Sequence, residues 1–226
     1  MDIETIKQFN EMRYSQVFQP ETSDRTRIDI YLKLIGSGKK ILDIGCWDGY
    51  IGQLVKKQNN HVYGVEVVPA AADRAGKILD KVYNLPLVGA WADQINEQFD
   101  LILTTEVIEH IFDTDNFLAN IKRLLKPGGE LVVSTPNAAS LGRRLLLLLG
   151  RSPNLEITSR IEDSGHIRYF TMSSMKQLLR EHGFDILVTT SNIVNFSYSG
   201  RVSSRLLSKL WPALGTTLII KAKLLS

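Results

Sequence analysis

Short apolar strands alternate with helix-like segments over residues 39–134, and this alternation restricts the fold more than any other feature. The strand-like runs are rich in isoleucine, leucine and valine, which is typical of strands buried on both faces; they are KKILDI, HVYGVEV, FDLILT and ELVVS. Helical segments lie between them at 50–57, 69–79 and 115–125. Because repeated strand–helix–strand units join parallel strands, we predict an α/β domain with a parallel sheet and helices on both faces.

The chain of 226 residues is long enough for one such domain, and we expect a single domain over 1–226. After Pro136 the strand–helix rhythm changes, which predicts an inserted cap over 137–169 on the side where a ligand would bind. The rhythm then resumes with a helix at 173–182 and strands at 184–190 and 216–222.

Three features indicate a cytoplasmic protein. The first ten residues lack a secretory pattern, and Cys46 is the only cysteine. The most apolar run, Leu145–Leu149, is far shorter than the roughly 20 apolar residues that a membrane-spanning helix needs. We expect these leucines to pack in the core, and weak contact with a membrane surface is the alternative.

The C-terminal part of the chain is basic, since residues 141–226 carry 12 Lys and Arg against 5 Asp and Glu. This excess of positive charge suits either an anionic ligand or a surface that is merely solvated. Arg143, Arg144, Arg151 and Arg168 are candidates to hold such an anion, because guanidinium groups match phosphate and carboxylate.

A glycine-rich turn, DIGCWDGY, joins the first strand to a helix and predicts a nucleotide-binding loop. Glu66 ends the second strand, 23 residues after Asp43, close to the spacing of about 20 residues expected for an acid that holds a ribose. A carboxylate suits that role because it accepts hydrogen bonds from both ribose hydroxyls.

Four motifs appear in order, namely ILDIGCWDGYIG, VYGVE, FDLILTTEVIEHIFD and LLKPGGELVVSTPN. With them, the chain resembles the class I S-adenosylmethionine (SAM) dependent methyltransferases. The tail GHIRYFTMSSMKQLLREHGF is similar to methyltransferases of polysaccharide and lipopolysaccharide loci and of the MetW group. The resemblance implies a Rossmann-like fold with a seven-stranded sheet of order 3-2-1-4-5-7-6, the last strand antiparallel.

By the same resemblance, nine residues would surround SAM and its product S-adenosylhomocysteine. They are Asp43, Gly45, Cys46, Gly49, Glu66, Val67, Asn84, Thr105 and Glu106. Two departures from the family pattern stand out: Trp47 replaces the middle glycine of the loop, and no acid follows the third strand, where Asn84 or a backbone carbonyl is the expected substitute.

His110 and His166 are candidate general bases, which a hydroxyl acceptor would require. Each histidine has a structural alternative as a packing or hydrogen-bonding residue. We expect Glu109 to face solvent or cap a helix, Asp163 to orient His166, and Arg13 and Tyr14 at most to approach the cofactor. Neither a CxxC nor an HExxH motif is present, so the sequence predicts no metal site.

The leading functional prediction is methyl transfer to an oxygen, or less favourably a nitrogen, of a small molecule or glycan. A MetW-like binding or regulatory protein that acts on a partner enzyme is the alternative. An NAD-dependent dehydrogenase fits poorly, because GCWDGYIG departs from the glycine pattern of that class. A nucleic-acid substrate is disfavoured because no recognisable RNA-binding module is attached.

Overall fold

A computed structural model describes residues 22–153, 165–196 and 202–225. Seven strands form one sheet, and they are β1 (Lys40–Ile44), β2 (His61–Glu66), β3 (Lys81–Asn84), β4 (Phe99–Thr105), β5 (Leu125–Pro136), β6 (Phe184–Ser191) and β9 (Thr217–Leu224). Their order across the sheet is β3-β2-β1-β4-β5-β9-β6. β9 runs antiparallel to both β5 and β6. The predicted order is confirmed, with β9 as the seventh strand.

Helices connect these strands and cover the sheet. They are α1 (Thr22–Ile35), α2 (Tyr50–Lys56), α3 (Pro69–Ala75), α4 (Thr114–Leu124), α5 (Leu141–Leu148), α6 (Met172–Glu181) and α7 (Arg205–Leu210). Short 3-10 turns occur at Trp91–Gln94, Ile108–His110 and Pro212–Leu214, and a small hairpin pairs β7 (Val194–Asn195) with β8 (Ser203–Ser204). The sequence patterns did not indicate the turns, the hairpin or α7.

Two apolar clusters lie on opposite faces of the sheet. Leu42 and Ile102 belong to one cluster, together with Phe117 of α4. Their chain neighbours Ile41 and Leu101 belong to the other, which holds side chains of α1 and α2. Because successive strand residues point to opposite faces, continuous apolar strands require helices on both faces.

The helix starts are fixed locally. Asp113 caps α4, since its side chain accepts a hydrogen bond from the backbone of Asn116 at 2.9 Å. Thr171 and Ser174 form a capping box at the start of α6. These polar caps precede helices with strongly apolar inner faces.

The leucine-rich helix α5 corrects one expectation. No residue of α5 is buried, and the side chains of Leu147 and Leu148 are 58% and 82% exposed. The expected core packing of Leu145–Leu149 is therefore wrong, because consecutive leucines point around the whole helix and only one side can face the protein. Among the helices described, none is both long and apolar enough to cross a membrane.

Candidate functional site

The carboxyl ends of four parallel strands meet at one edge of the sheet. Ile44 pairs in register with Val65 of β2 and with Thr104 of β4. Glu66 pairs with Asn84 of β3. The predicted cofactor residues follow these positions, so the topology brings them to the same edge, where open α/β sheets bind ligands.

Asp43 is buried within this edge at 2% exposure, and its Oδ2 has no hydrogen-bond partner in the described structure. Burial, and to a lesser extent the nearby Glu66 carboxylate, raise the pKa of Asp43 to about 8. A buried, unpartnered carboxyl group of this kind is stabilised when a cationic or hydrogen-bond-donating ligand is bound.

Glu66 is anchored by the backbone on both sides. Its Oε2 accepts a hydrogen bond from the N–H of Trp47 at 2.9 Å, and its Oε1 accepts one from the N–H of Val68 at 2.9 Å. Burial raises the pKa of the Glu66 carboxyl group, and these backbone donors oppose the rise. Each oxygen keeps a further acceptor position, so the carboxylate can still bind two ligand hydroxyls.

The glycines of the turn are required by close packing. A Cβ on Gly45, whose φ is +74°, would lie 2.5 Å from Cγ2 of Val107 in the loop after β4. Gly49 has a φ of +84°, and a Cβ there would lie 3.2 Å from Cα of Ala75. The glycine turn therefore touches the loop that carries Glu106, Glu109 and His110.

The Cys46 side chain is buried, so this residue contributes only its backbone to the edge of the sheet. The side chain is 5% exposed and belongs to an apolar cluster under the sheet. A Cβ on Gly64 would lie 2.5 Å from its Sγ, so glycine at 64 makes room for the thiol. Burial raises the pKa of the Cys46 thiol well above its ordinary value.

Asn84 and Val67 lie beside Glu66. The Asn84 amide donates to the carbonyl oxygens of Glu66 at 2.8 Å and Val67 at 3.2 Å. These bonds fix the carboxamide and leave its oxygen as an acceptor at the exposed rim of the edge.

A polar chain fixes the end of β4, where Thr105 and Glu106 lie. Glu106 has a φ of +56°, which is uncommon for a residue other than glycine. Its Oε1 accepts from the Ser134 hydroxyl at 2.7 Å, and its Oε2 pairs with the Arg27 guanidinium at 2.8 Å. The Tyr31 hydroxyl lies 2.8 Å from Ser134 Oγ, and burial raises the pKa of Tyr31.

Sequence reasoning missed Arg27, Tyr31 and Ser134 as parts of the site. Arg27 and Tyr31 stand four residues apart, the spacing that places two side chains on one face of a helix. This spacing was the only sequence signal that could have indicated Arg27 and Tyr31, and it is too common among helices to identify a site by itself.

The 3-10 turn after β4 brings Glu109, His110 and His166 together. The imidazole rings of His110 and His166 have centroids 4.9 Å apart, and His166 Nε2 lies 3.8 Å from Glu109 Oε1. Glu109 is 1% exposed, so its expected position in solvent is wrong. Burial, and to a lesser extent the charge of Glu106, raise the pKa of Glu109 to about 9.

Backbone hydrogen bonds fasten the segment at 165–170 over this turn. The Glu109 carbonyl accepts from the N–H groups of Ile167 at 3.0 Å and Arg168 at 3.1 Å. His110 Nδ1 lies 3.1 Å from the Gly165 carbonyl oxygen. These long-range contacts carry His166 to the other two side chains and bury Glu109.

Three of the four candidate anion-binding arginines donate hydrogen bonds to backbone carbonyl oxygens. Arg143 donates to the Asn137 carbonyl at 3.0 Å and Arg144 to the Ala139 carbonyl at 2.6 Å. The Arg168 guanidinium donates to the carbonyl oxygens of residues 111 and 112. Arg13, Tyr14 and Asp163 lie outside the described residues.

Comparison with protein families and solved structures agrees with this fold. A family model described as a methyltransferase domain matches residues 21–189. The chain is similar to magnesium protoporphyrin IX methyltransferase from Synechocystis, whose crystal structure has bound S-adenosylhomocysteine. That likeness has a TM-score of 0.64 at 13% identity, and it covers 99% of this chain and 100% of the other.

Curated relatives include ubiquinone biosynthesis O-methyltransferases. The mitochondrial human protein is 25% identical over 168 residues, which are 70% of this chain and 44% of the relative. The Cereibacter sphaeroides protein is 26% identical over 211 residues, which are 90% of this chain and 83% of the relative. The matches to the first relatives, from human, Schizosaccharomyces pombe and Pseudomonas entomophila, span less than half of those proteins.

Proposed function

Because this chain belongs to the family of methyltransferase domains, we propose that it transfers the methyl group of SAM to a hydroxyl oxygen of a small molecule. The observation that carries the proposal is the buried acid pair at the carboxyl edge. Asp43 has an oxygen with no partner in the described structure, and Glu66 is held by two backbone donors beside the glycine turn.

The charges of this edge fit SAM. The cofactor carries a sulfonium and an ammonium group, and Asp43 offers a buried carboxyl group whose Oδ2 has no hydrogen-bond partner in the described structure. A cation bound beside Asp43 would lower its raised pKa and favour the carboxylate form. We assign Asp43 to the amino end of the methionine moiety.

The remaining cofactor contacts follow from position. Glu66 would accept from the ribose hydroxyls with its remaining lone pairs. Asn84 presents a carboxamide oxygen for the adenine amine, and Val67 would flank the adenine ring. The backbone of Gly45, Cys46 and Gly49 would line the methionine and ribose, since their side-chain positions are absent or turned inward.

When bound, SAM supplies a methyl group that its sulfonium makes electrophilic. The protein has to align the acceptor oxygen with that carbon and exclude water. Thr105 and Glu106 would border the reacting atoms, and Arg27 and Ser134 fix the Glu106 carboxylate. His110 or His166 would accept the hydroxyl proton, since both lie beside the same loop.

The acceptor is proposed from the relatives. Their names describe O-methyltransferases of ubiquinone biosynthesis, which favours a hydroxylated small molecule over the nitrogen acceptor and the glycan of the sequence prediction. The side chains of Arg143, Arg144 and Arg168 donate hydrogen bonds to backbone carbonyl oxygens, which weakens the case for an anionic acceptor. Phenols and catechols are therefore the first acceptors to screen, followed by sugars.

Calorimetric titration of SAM and S-adenosylhomocysteine into the wild type and Glu66→Gln tests the cofactor site. The amide keeps one acceptor oxygen and loses the charge, so affinity should fall about 10- to 100-fold, as expected for a charged hydrogen bond of about 1.5–3 kcal/mol. Glu130→Gln is the matched control, because Glu130 pairs with Lys39 and Lys221 at the opposite edge of the sheet.

The outcomes separate the alternatives. Equal loss of affinity in both variants, or no binding to the wild type, would overturn the cofactor assignment. Tight SAM binding without methyl transfer to any hydroxylated acceptor would instead favour the non-catalytic, MetW-like alternative and the search for a partner protein.

A further inference from the structure

The buried face of α4 carries an amide side chain, Asn120, among apolar ones. Asn120 is 3% exposed, and its helix neighbours Phe117, Ile121 and Leu124 are buried as well. An amide in such surroundings is costly unless its polar atoms are bonded, and asparagine does not favour the interior of a helix. Apolar packing therefore gives no reason for Asn120 at this position, and its hydrogen bonds have to supply one.

The carboxamide of Asn120 bonds to the segment that follows β3. Its Oδ1 accepts from the N–H of Ala92 at 3.0 Å, and its Nδ2 donates to the Gly89 carbonyl oxygen at 3.0 Å. The same Nδ2 donates to the Asn116 carbonyl oxygen at 2.9 Å, one turn earlier in α4. The Asn116 amide also donates to the Gly89 oxygen, at 2.9 Å. Two side chains of α4 thus hold one carbonyl group of the segment.

The β3 loop, which we define as residues 85–90, depends on these bonds for its position. No backbone–backbone hydrogen bond joins residues 85–89 to another element in the described part of the chain. Leu85 is buried and Leu87 packs against the core, whereas Val88 is 61% exposed. The start of the loop is therefore fixed by apolar packing, and its tip at Gly89 is fixed by the two asparagines.

The β3 loop begins at the cofactor edge of the sheet. It follows Asn84, which pairs in register with Glu66 and whose amide donates to the carbonyl oxygens of Glu66 and Val67. The loop sequence LPLVGA contains no acid, so contacts to an adenine from this side have to come from Asn84 or from backbone groups. Backbone groups bind a flat base well when their positions are fixed beforehand, because ordering a loop on binding costs affinity.

We propose that Asn120, assisted by Asn116, is a positioning residue for the cofactor, which holds the β3 loop in the conformation that receives the adenine end of SAM. The inference rests on the proposed function and extends the cofactor site to α4. Asn120 does not touch the cofactor and acts through Gly89 and Ala92. Without its amide the loop would be displaced part of the time, and the apparent affinity would fall with the fraction of chains that remain competent to bind.

The test is calorimetric titration of SAM and S-adenosylhomocysteine into the full chain. Asn120→Ala should weaken the binding of both ligands about tenfold, since they share the adenosyl group and the loop would be displaced in most molecules. Asn116→Ala should cause a smaller loss, because it leaves the bonds from Asn120 to Gly89 and Ala92 in place.

Asn60→Ala is the matched control for lost stability. Asn60 is 6% exposed, accepts from the N–H of Lys39 at 2.9 Å, and donates to the carbonyl oxygens of Gly36 at 2.9 Å and Val55 at 3.0 Å. It precedes β2, at the opposite edge of the sheet from the cofactor residues. Its loss should lower the free energy of unfolding in urea about as much as Asn120→Ala does, while SAM affinity stays within about twofold of the wild type.

A double-variant cycle with Asn84 provides a readout that a merely structural role would not move. If Asn84 and Asn120 both serve the adenine end, the Asn84→Ala/Asn120→Ala protein should bind SAM more tightly than the product of the two single losses predicts. The losses of Asn60→Ala and Asn84→Ala should simply multiply, because the two sites share no partner.

Three results would overturn the proposal alone: wild-type SAM affinity in folded Asn120→Ala, an equal loss of affinity in Asn60→Ala, or purely multiplicative losses for Asn84 and Asn120. Absence of SAM binding to the wild type would instead overturn the cofactor assignment, and this proposal with it. The two proposals therefore fail distinguishably.

Discussion

Substitution of Gly45 tests the contact between the glycine turn and the loop after β4. An alanine at this position would hold its Cβ 2.5 Å from Cγ2 of Val107, at least about 1 Å inside the optimal carbon–carbon separation. The φ of +74° adds the cost of a left-handed conformation, about 1–2 kcal/mol. Valine is stiff at χ1 and cannot rotate away freely. Overpacking adds about 1–3 kcal/mol, and we therefore expect Gly45→Ala to lower the free energy of unfolding by about 2–5 kcal/mol.

Two further variants separate the conformational cost from the clash. Gly38 has a φ of +72° with no atom within 4 Å of a built Cβ, so Gly38→Ala should show the conformational cost alone. Val107→Ala removes Cγ2 and leaves Val107 Cβ at 3.7 Å, an ordinary contact. Combined with Gly45→Ala, it should restore about 1–3 kcal/mol relative to additivity.

Urea unfolding of the wild type and the four variants provides the measurement, with unchanged m-values as the condition for comparing stabilities. The reasoning fails if Gly45→Ala costs no more than Gly38→Ala, or if the double variant is simply additive. Either result would mean that the glycine turn and the β4 loop do not pack as described, and would remove the physical link between the two halves of the site.

Three further predictions concern buried polar groups. Asp43 binds a proton in the folded state, with a pKa of about 8 against 3.8 for the ordinary carboxyl, so the stability of the ligand-free protein should fall as pH rises from about 4 to 8. Asp43→Asn should flatten that part of the profile measured by urea unfolding, and an unchanged slope would contradict the assignment. The Asn137 side chain makes three hydrogen bonds: it donates to the carbonyl oxygens of Ala213 at 2.9 Å and Gly215 at 2.8 Å and accepts from the N–H of Ala139 at 2.9 Å. Asn137→Ala should therefore cost about 2–4 kcal/mol of unfolding free energy. Tyr31→Phe removes the buried hydroxyl beside Ser134 and should cost about 1 kcal/mol in the same assay, whereas a gain in stability would contradict the described bond.

The fold was predictable because its signals are local and repeated. Each strand of the sheet core is a short run of apolar residues, and the structure buries Ile41 and Leu42 on opposite faces as such a run requires. The strand order came from the resemblance, since no local pattern states which strands are neighbours. The inserted cap over 137–169 stays a prediction, as does the cytoplasmic location.

The cofactor edge was predictable for a related reason. Asp43 and Glu66 stand at the ends of adjacent parallel strands, so the register that pairs Ile44 with Val65 places both carboxyl groups at one edge. The environment of each group was not visible in the sequence. The bonds from Trp47 and Val68 to Glu66 depend on how the turn folds back over β2.

Glu109 could not be placed correctly from the sequence, and the reason is physical. A glutamate in the polar sequence EVIEH is expected in solvent, because burial of a carboxylate is costly. The structure buries it by hydrogen bonds from the N–H groups of Ile167 and Arg168 to its own carbonyl, across nearly 60 positions of the chain. Backbone groups make these bonds, and any residue except proline could supply them. No side-chain pattern in the sequence therefore predicts that His166 lies beside Glu109. A site assembled through backbone hydrogen bonds can be recognised only in the folded structure.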